Sequence, residues 1–201
     1  DYHDPFIIVE DGQQYIAVPY TEPVFGFRLP VPFTRPSWGG VALIDADGEI
    51  QHLSPEEAQA NEVLRNQRLY PFELARERVA ATRYRNGIVN TLPVVGSHRD
   101  EIELAPLPGE RNSQPFLTRT SDGLTYFLAA EPYGETQGLR EVWTVDPRTG
   151  KFERFRTGDG STLVGPRKAA DFVRQAARTT DWSRFDPTEP IPTVIDGSLY
   201  W

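Results

Sequence analysis

The sequence predicts an α+β fold: two antiparallel β-meander sheets, each covered by helix and related by an internal tandem repeat. Three observations predict this. Alternating apolar residues flank Asp-Gly and Pro-containing turns, a pattern typical of β-hairpins. Helix-start signals follow the strands. The motif Asp-Gly-x-x-Tyr occurs at 11–15, 122–126 and 196–200, and its first two copies open a similar order of strands, turns and helix.

The first half of the chain predicts two hairpins and a connection between them. Residues 5–20 predict two strands about Asp11-Gly12, the dipeptide that tight turns prefer. Residues 21–39 are rich in proline and aromatic side chains. Because proline cannot donate to a strand ladder, we expect an extended connection there rather than a central strand. Strands are predicted again at 40–45 and 49–53.

Two helices are predicted in the middle of the chain. Ser54 and Glu57 have the spacing of a capping box, and Pro55 occupies the first helical position, so a helix is predicted from there to about Arg65. A second helix is predicted from Pro71 to Tyr84 or Gly87.

The second half predicts more strands and one amphipathic helix. Strands are expected at 101–104, 115–120, 124–131, on both sides of a turn within 139–155, and at 193–201. The helix begins at Pro166 and runs to about Arg178. Its apolar positions form one stripe, which we expect to pack against a sheet face: Ala169, Phe172, Val173, Ala176 and Ala177.

The order of elements predicts two repeat units, 1–92 and 93–201. The middle helices are expected to cover the first sheet, and the helix at 166–178 the second. The terminal strand at 193–201 has no partner within its own unit. It either adds to the edge of the first sheet or continues into a third unit.

Composition excludes several classes of protein. The 201 residues carry a net charge of −8 with no basic cluster, so nucleic acid is not an expected partner. No cysteine is present, which rules out disulfides, thiolate metal sites and cysteine nucleophiles. No apolar run approaches the length of a membrane span. The chain also lacks methionine, so we expect that Asp1 is not the translated start.

Two segments resemble a known family. They are Asp122-Gly-Leu-Thr-Tyr-Phe-Leu and Val142-Trp-Thr-Val-Asp-Pro-Arg-Thr-Gly-Lys-Phe. This pattern resembles PepSY-like domains, small helix-plus-sheet modules of bacterial extracytoplasmic proteins and protease propeptides. The copy at 41–50 departs from it, being one residue shorter at the turn. The repeat also resembles ectodomain segments of multi-unit envelope proteins. The resemblance implies an extracytoplasmic binding or regulatory module, with no catalytic residues to carry over.

No motif predicts a catalytic or metal site. The three histidines lack helical metal-ligand spacing, and Ser97-His98-Arg99-Asp100 has triad residue types without the convergence that a triad needs. The run from Asp45 to Glu56 departs from a calcium loop, and a turn whose Asp side chains bind their own backbone explains it better. The stretch 158–165 is interpreted as a connector rather than an anion site. We therefore predict no cofactor, no metal and no enzymatic activity.

The candidate binding residues are aromatic: Phe25, Phe27, Phe33, Trp38 and Tyr133. They could line a groove, or simply fill the space beneath a proline-rich loop. We expect an extracytoplasmic interaction or structural domain of a larger protein. It would contact a partner protein, an adjacent repeat or a subunit, for example by strand addition at a sheet edge. The alternatives are a small-molecule, peptide or glycan module with an aromatic groove, and a protease-inhibitor or propeptide-like domain.

Overall fold

The computed structural model describes residues 1–28, 30–107, 114–120, 123–134, 138–158, 161, 163–188, 190–195 and 198–201. They form an α+β fold with antiparallel sheets and few helices, as predicted. The chain divides into two compact units. The first comprises 1–75 with 146–151, and the second comprises 76–145 with 152–201. The predicted boundary between residues 92 and 93 separates two sequence repeats, whereas these units are defined by compactness. The repeat boundary therefore stays a prediction.

The first unit contains a four-stranded antiparallel sheet. Its strands are β1 (Phe6–Glu10), β2 (Gln13–Arg28), β3 (Val31–Ile44) and β4 (Ile50–Leu53). Each strand pairs with the next along the chain, so the predicted meander is confirmed here. The turn between β1 and β2 has left-handed φ values of 48° at Asp11 and 77° at Gly12. A tight Asp-Gly turn requires this conformation.

The prediction that residues 21–39 form a connection outside the sheet is wrong. β2 and β3 pair from Thr21/Trp38 out to Arg28/Val31, after a register shift at Tyr20. Neither β1 nor β4 pairs with this part of β2 and β3, so each of the two strands has one edge without a neighbouring strand. A proline whose nitrogen faces that edge removes no hydrogen bond between strands. The prolines therefore exclude a central strand but permit a two-stranded ribbon.

One face of the first sheet packs on the segment that follows it. Its buried cluster comprises Ile8, Ala17, Val41, Leu43, Leu53, Ala58, Leu64 and Leu69. Helix α1 (Pro55–Ala60) begins with the predicted capping box, in which Ser54 and Glu57 each accept the other's backbone N–H. The helix ends well before Arg65. Asn61 adopts an extended conformation, and its side chain accepts the Val63 N–H, a local bond that competes with helix.

The turn at 146–151 completes the first unit. Arg148 donates to the carbonyl oxygens of Gln59 at 2.6 Å and Leu64 at 2.7 Å. The Pro147 carbonyl accepts the N–H groups of residues 69 and 70. Gly150, with φ of 67°, lies under the Tyr70 ring, where a side chain would clash. These bonds satisfy backbone groups in an irregular segment that has few helical or strand partners of its own.

The second unit contains a five-stranded antiparallel sheet and two short two-stranded sheets. Its strands are β5 (Ile102–Leu104), β6 (Phe116–Thr120), β7 (Gly123–Pro132), β8 (Gly138–Leu139), β9 (Glu141–Val145), β10 (Phe152–Arg156), β11 (Leu163–Val164), β12 (Thr193–Ile195) and β13 (Ser198–Tyr200). The order in the larger sheet is β10-β9-β7-β5, with β6 also paired to β7, and the two short sheets pair β8 with β11 and β12 with β13. β5 and β6 pair with opposite ends of β7. The predicted hairpin within 139–155 is confirmed by β9 and β10.

Two further helices follow the prediction in part. Helix α2 (Phe72–Ala80) continues into a 3₁₀ turn at Ala81–Tyr84, which together match the predicted second helix. Helix α3 (Pro166–Ala176) ends just before the predicted limit, where the Trp182 indole donates to the carbonyls of residues 174 and 177. Within the predicted apolar stripe, Phe172 and Val173 are about half exposed. In α3, burial is confined to Pro166 and Ala170, so the expected packing of the stripe is not observed.

The terminal segment forms its own hairpin from β12 and β13. The Asp196-Gly197 pair predicted at its turn lies outside the described residues, as does Asp122 of the second motif copy. Trp201 packs edge-on against Phe116 and Phe127 of the second unit, so the hairpin does not extend the first sheet. No described helix has the length and apolar character that crossing a membrane requires.

Candidate functional site

The ribbon formed by Glu22–Arg28 and Val31–Ser37, here called the arm, extends beyond the four-stranded part of the first sheet. Its register places Pro23 opposite Pro36, Phe25 opposite Thr34 and Phe27 opposite Pro32. Because paired residues and alternate residues share a face, these six side chains form one face, here called the aromatic–proline face. Phe25 is 83% exposed and Phe27 is 66% exposed. Two predicted binding residues therefore lie in solvent, side by side.

The other predicted aromatic residues occupy different environments. The Phe33 ring lies across Gly26 on the opposite face of the arm, where a Cβ on the glycine would clash with it. Trp38 packs against the core of the first unit, meets the Tyr70 ring edge-on and donates its indole N–H to the Gly40 carbonyl. Tyr133 belongs to the second unit. Of the five predicted residues, Phe25 and Phe27 are therefore exposed, and Phe33 and Trp38 pack within the first unit.

Sequence reasoning missed an apolar row on the first sheet. Ile7 pairs with Ile16, Ile16 with Ile44 and Ile44 with Ile50, so four isoleucines cross all four strands on one face. This isoleucine row lies opposite the buried cluster, and Ile7 and Ile50 are 63% and 60% exposed. The signal was the run Phe6-Ile7-Ile8-Val9, which is apolar at both strand parities and indicates two apolar faces.

The second unit buries a carboxylate among cations. Glu141 is fully buried and accepts two hydrogen bonds from Arg85, at 2.6 and 2.8 Å. The Trp143 indole donates a third at 3.1 Å. Arg154 and Arg156 lie 3.8 Å from the same carboxylate. The bidentate contact with Glu141 raises the pKa of Arg85 above its ordinary value, so the guanidinium remains charged.

A second buried carboxylate fixes the Ser97–Asp100 segment. Glu101 lies 2.6 Å from His98 Nδ1 and 3.0 Å from Arg83. The His98 ring stacks on Tyr133 with centroids 4.0 Å apart.

The four residues with triad chemistry do not converge. The Ser97 hydroxyl donates to Asn90 instead of His98, and Asp100 binds Arg156 at 2.6 Å. A Ser–His–carboxylate line is therefore not formed by these residues. Elsewhere, the Asp45 carboxylate accepts the N–H groups of Asp47 and Glu49, as the turn interpretation predicts. Among the described residues, no three His, Asp or Glu side chains gather as a metal site.

Glu131 on β7 is a third buried acid, and no described residue pairs with it as Arg83 and Arg85 pair with the other two. It lies opposite Glu103 of β5, and its Oε1 atom accepts no hydrogen bond from a described residue. Burial raises its pKa to about 7, and the positive charge of Arg167 opposes part of the rise. The carboxyl therefore prefers its protonated form up to neutral pH.

Comparisons with protein-family models, with curated proteins and with solved structures found no match to this chain. The resemblance to PepSY-like domains accordingly stays a prediction. What the geometry offers is an exposed apolar surface in the first unit and buried ion pairs in the second. The first can bind a complementary surface. The second holds backbone segments and side chains in fixed positions.

Proposed function

We propose that this chain is a non-catalytic interaction domain of a larger extracytoplasmic protein, and that it acts by protein–protein contact through the arm. The observation that carries the proposal is the exposure of Phe25 and Phe27 on the aromatic–proline face. Aromatic side chains are enriched at protein interfaces, since they offer a large rigid area at a low cost in conformational entropy. An exposed cluster of them is costly to keep in solvent unless a partner covers it.

The contact uses the face of the arm more than its edges. Strand addition at an edge requires an uninterrupted row of backbone donors. Pro23, Pro32 and Pro36 each remove one N–H from the arm. Prolines on an edge also protect a ribbon against unspecific pairing, so the exposed rings can serve one partner without inviting aggregation.

The tandem repeat, the helical cover over each sheet and the PepSY-like character belong to the same proposal. Their support is the shared path of β1-β2-β3-β4 and β6-β7-β9-β10, each of which runs antiparallel in chain order. The extracytoplasmic location follows from the resemblance to PepSY-like domains.

A photo-crosslinking residue at position 25 tests the proposal in the host cell. Phe155, an exposed aromatic residue on β10 of the second unit, is the matched control position. We expect a defined protein adduct from position 25 and none from position 155, with the partner identified by mass spectrometry. Absence of a protein adduct at position 25, or equal adducts at both positions, would overturn the proposal.

A further inference from the structure

The first unit separates its charges along the strands. In residues 1–64 the only basic side chains other than histidine are Arg28 and Arg35, and both lie in the arm. Both are exposed, and neither forms an ion pair with a described residue. The arm therefore carries two guanidinium groups, with the single carboxylate of Glu22 at its base, in a unit whose net charge is negative.

The opposite end of the same sheet is acidic. Ile16 pairs with Ile44 beside the turns at 11–12 and 45–49, whereas Arg28 pairs with Val31 at the tip of the arm. The register thus places both turns at the end remote from the arm. These turns and their flanks carry five carboxylates: Glu10, Asp11, Asp45, Asp47 and Glu49. None of the five is ion-paired with a described residue.

Apolar side chains accompany the charges at both ends. On the arm, Val24 and Arg35 face each other, as do Arg28 and Val31, and Phe33 lies between them on the same face. This face, here called the cationic face, combines two guanidinium groups with exposed apolar side chains. At the other end, the isoleucine row runs beside the acidic turns. Each surface is an apolar strip next to charges, and the signs of the charges are opposite.

We propose that the cationic face of the arm docks on the isoleucine row and acidic turns of a second copy of this chain. The inference goes beyond the proposed function, because it concerns the opposite face of the arm. The arm cannot reach its own row, because its tip at Arg28 lies twelve positions beyond Ile16, about 40 Å along the strand. The contact joins two different surfaces of each chain, so it can form reciprocally in a twofold dimer or head to tail in a ring or an open chain. The aromatic–proline face stays exposed in such an assembly.

Charge exchange provides the test, with the purified chain followed by sedimentation velocity over a range of concentrations. The wild-type chain is expected to associate as its concentration rises. Arg28→Glu/Arg35→Glu and Asp47→Arg/Glu49→Arg should each weaken association at least about tenfold, since like charges then meet across the contact. An equimolar mixture of the two variants should associate again. A chain with all four substitutions should also regain association, because the two introduced glutamates can then pair with the two introduced arginines.

Glu73→Arg/Glu77→Arg is the matched control. It makes the same change in net charge as Asp47→Arg/Glu49→Arg, on exposed residues of α2, and should leave association unchanged. A wild-type chain that stays monomeric, or a fourfold variant that does not regain association, would overturn the inference. Crosslinking from position 25 to a different protein, together with a monomeric chain, would remove this inference and leave the proposed function standing.

Discussion

The two sheets treat apolar and charged side chains in opposite ways. The first leaves the isoleucine row in solvent, while the second buries the carboxylates of Glu101, Glu131 and Glu141. Exposed apolar rows and buried acids are both departures from the usual distribution of residues. The two departures have different consequences for stability and binding. The exposed row adds little to folding and offers a surface to a partner, whereas Glu101 and Glu141 stabilise the unit only while Arg83 and Arg85 stay in place.

Removing a cation from the second unit should have the largest effect. Arg85→Ala leaves the fully buried Glu141 carboxylate without its two strongest hydrogen bonds. We expect the free energy of unfolding to fall by about 3–5 kcal/mol, measured by urea denaturation.

The exposed pair of Arg65 and Glu62 supplies the control for that change. Arg65→Ala breaks an ion pair of similar length, 3.0 Å, whose partners are both mostly in solvent. Its cost should stay within about 1 kcal/mol. Equal losses in the two variants would show that burial of Glu141 contributes nothing to the cost.

Alanine substitutions in the first unit should lower the free energy of unfolding more on the buried face of its sheet than on the exposed face. Leu64→Ala creates a cavity in the buried cluster and is expected to cost about 2–5 kcal/mol. Ile50→Ala, on the exposed row, should cost no more than about 0.5 kcal/mol. Both are measured by the same denaturation experiment. A large loss for Ile50→Ala would mean that the row is already covered in the isolated chain.

The pH dependence of the free energy of unfolding should reveal the raised pKa of Glu131. Its folded pKa of about 7 exceeds the unfolded value of 4.5, so its contribution is fully present below pH 4.5 and lost once the pH has risen through 7. Glu131→Gln mimics the protonated carboxyl. It should match the wild type at pH 4.5 and exceed it by about 2 kcal/mol at pH 8. Parallel pH profiles for the two chains would show that the carboxyl titrates alike in both states.

The smallest effect is expected at the start of α1. Ser54→Ala removes the hydroxyl that accepts the Glu57 N–H and should cost about 1 kcal/mol, whereas Ser54→Gly should cost only a few tenths. Thermal unfolding would resolve the two. By contrast, α3 begins at Gly165 without a side-chain cap, so no equivalent loss is available there.

Local patterns predicted most of the elements. Asp11-Gly12, the capping box at Ser54 and the turn between β9 and β10 act over a few residues, so their structure follows from neighbouring side chains alone. The arm was missed because the effect of proline depends on whether a strand is central or has a free edge. Whether a strand has a free edge depends on the pairing of the whole sheet, so the sequence of the ribbon alone does not indicate it.

The sites depended on contacts remote in sequence. Phe25 and Phe27 were found because aromatic residues cluster along the chain, but their exposure follows from the length of the ribbon. The partnership of Glu141 with Arg85 joins residues 56 positions apart, and no local pattern indicates it. Phe172 and Val173 show the converse, because a regular apolar stripe predicts burial only where another element is positioned to cover it.

The turn at 146–151 makes the two units inseparable by a single cut in the chain. A fragment ending near residue 75 would lack Arg148 and Pro147, which bind four backbone groups between residues 59 and 70. During synthesis on the ribosome, the amino-terminal unit must therefore wait for that distant turn to emerge before it can complete its structure. Its folding is tied to the progress of translation through the strands of its neighbour.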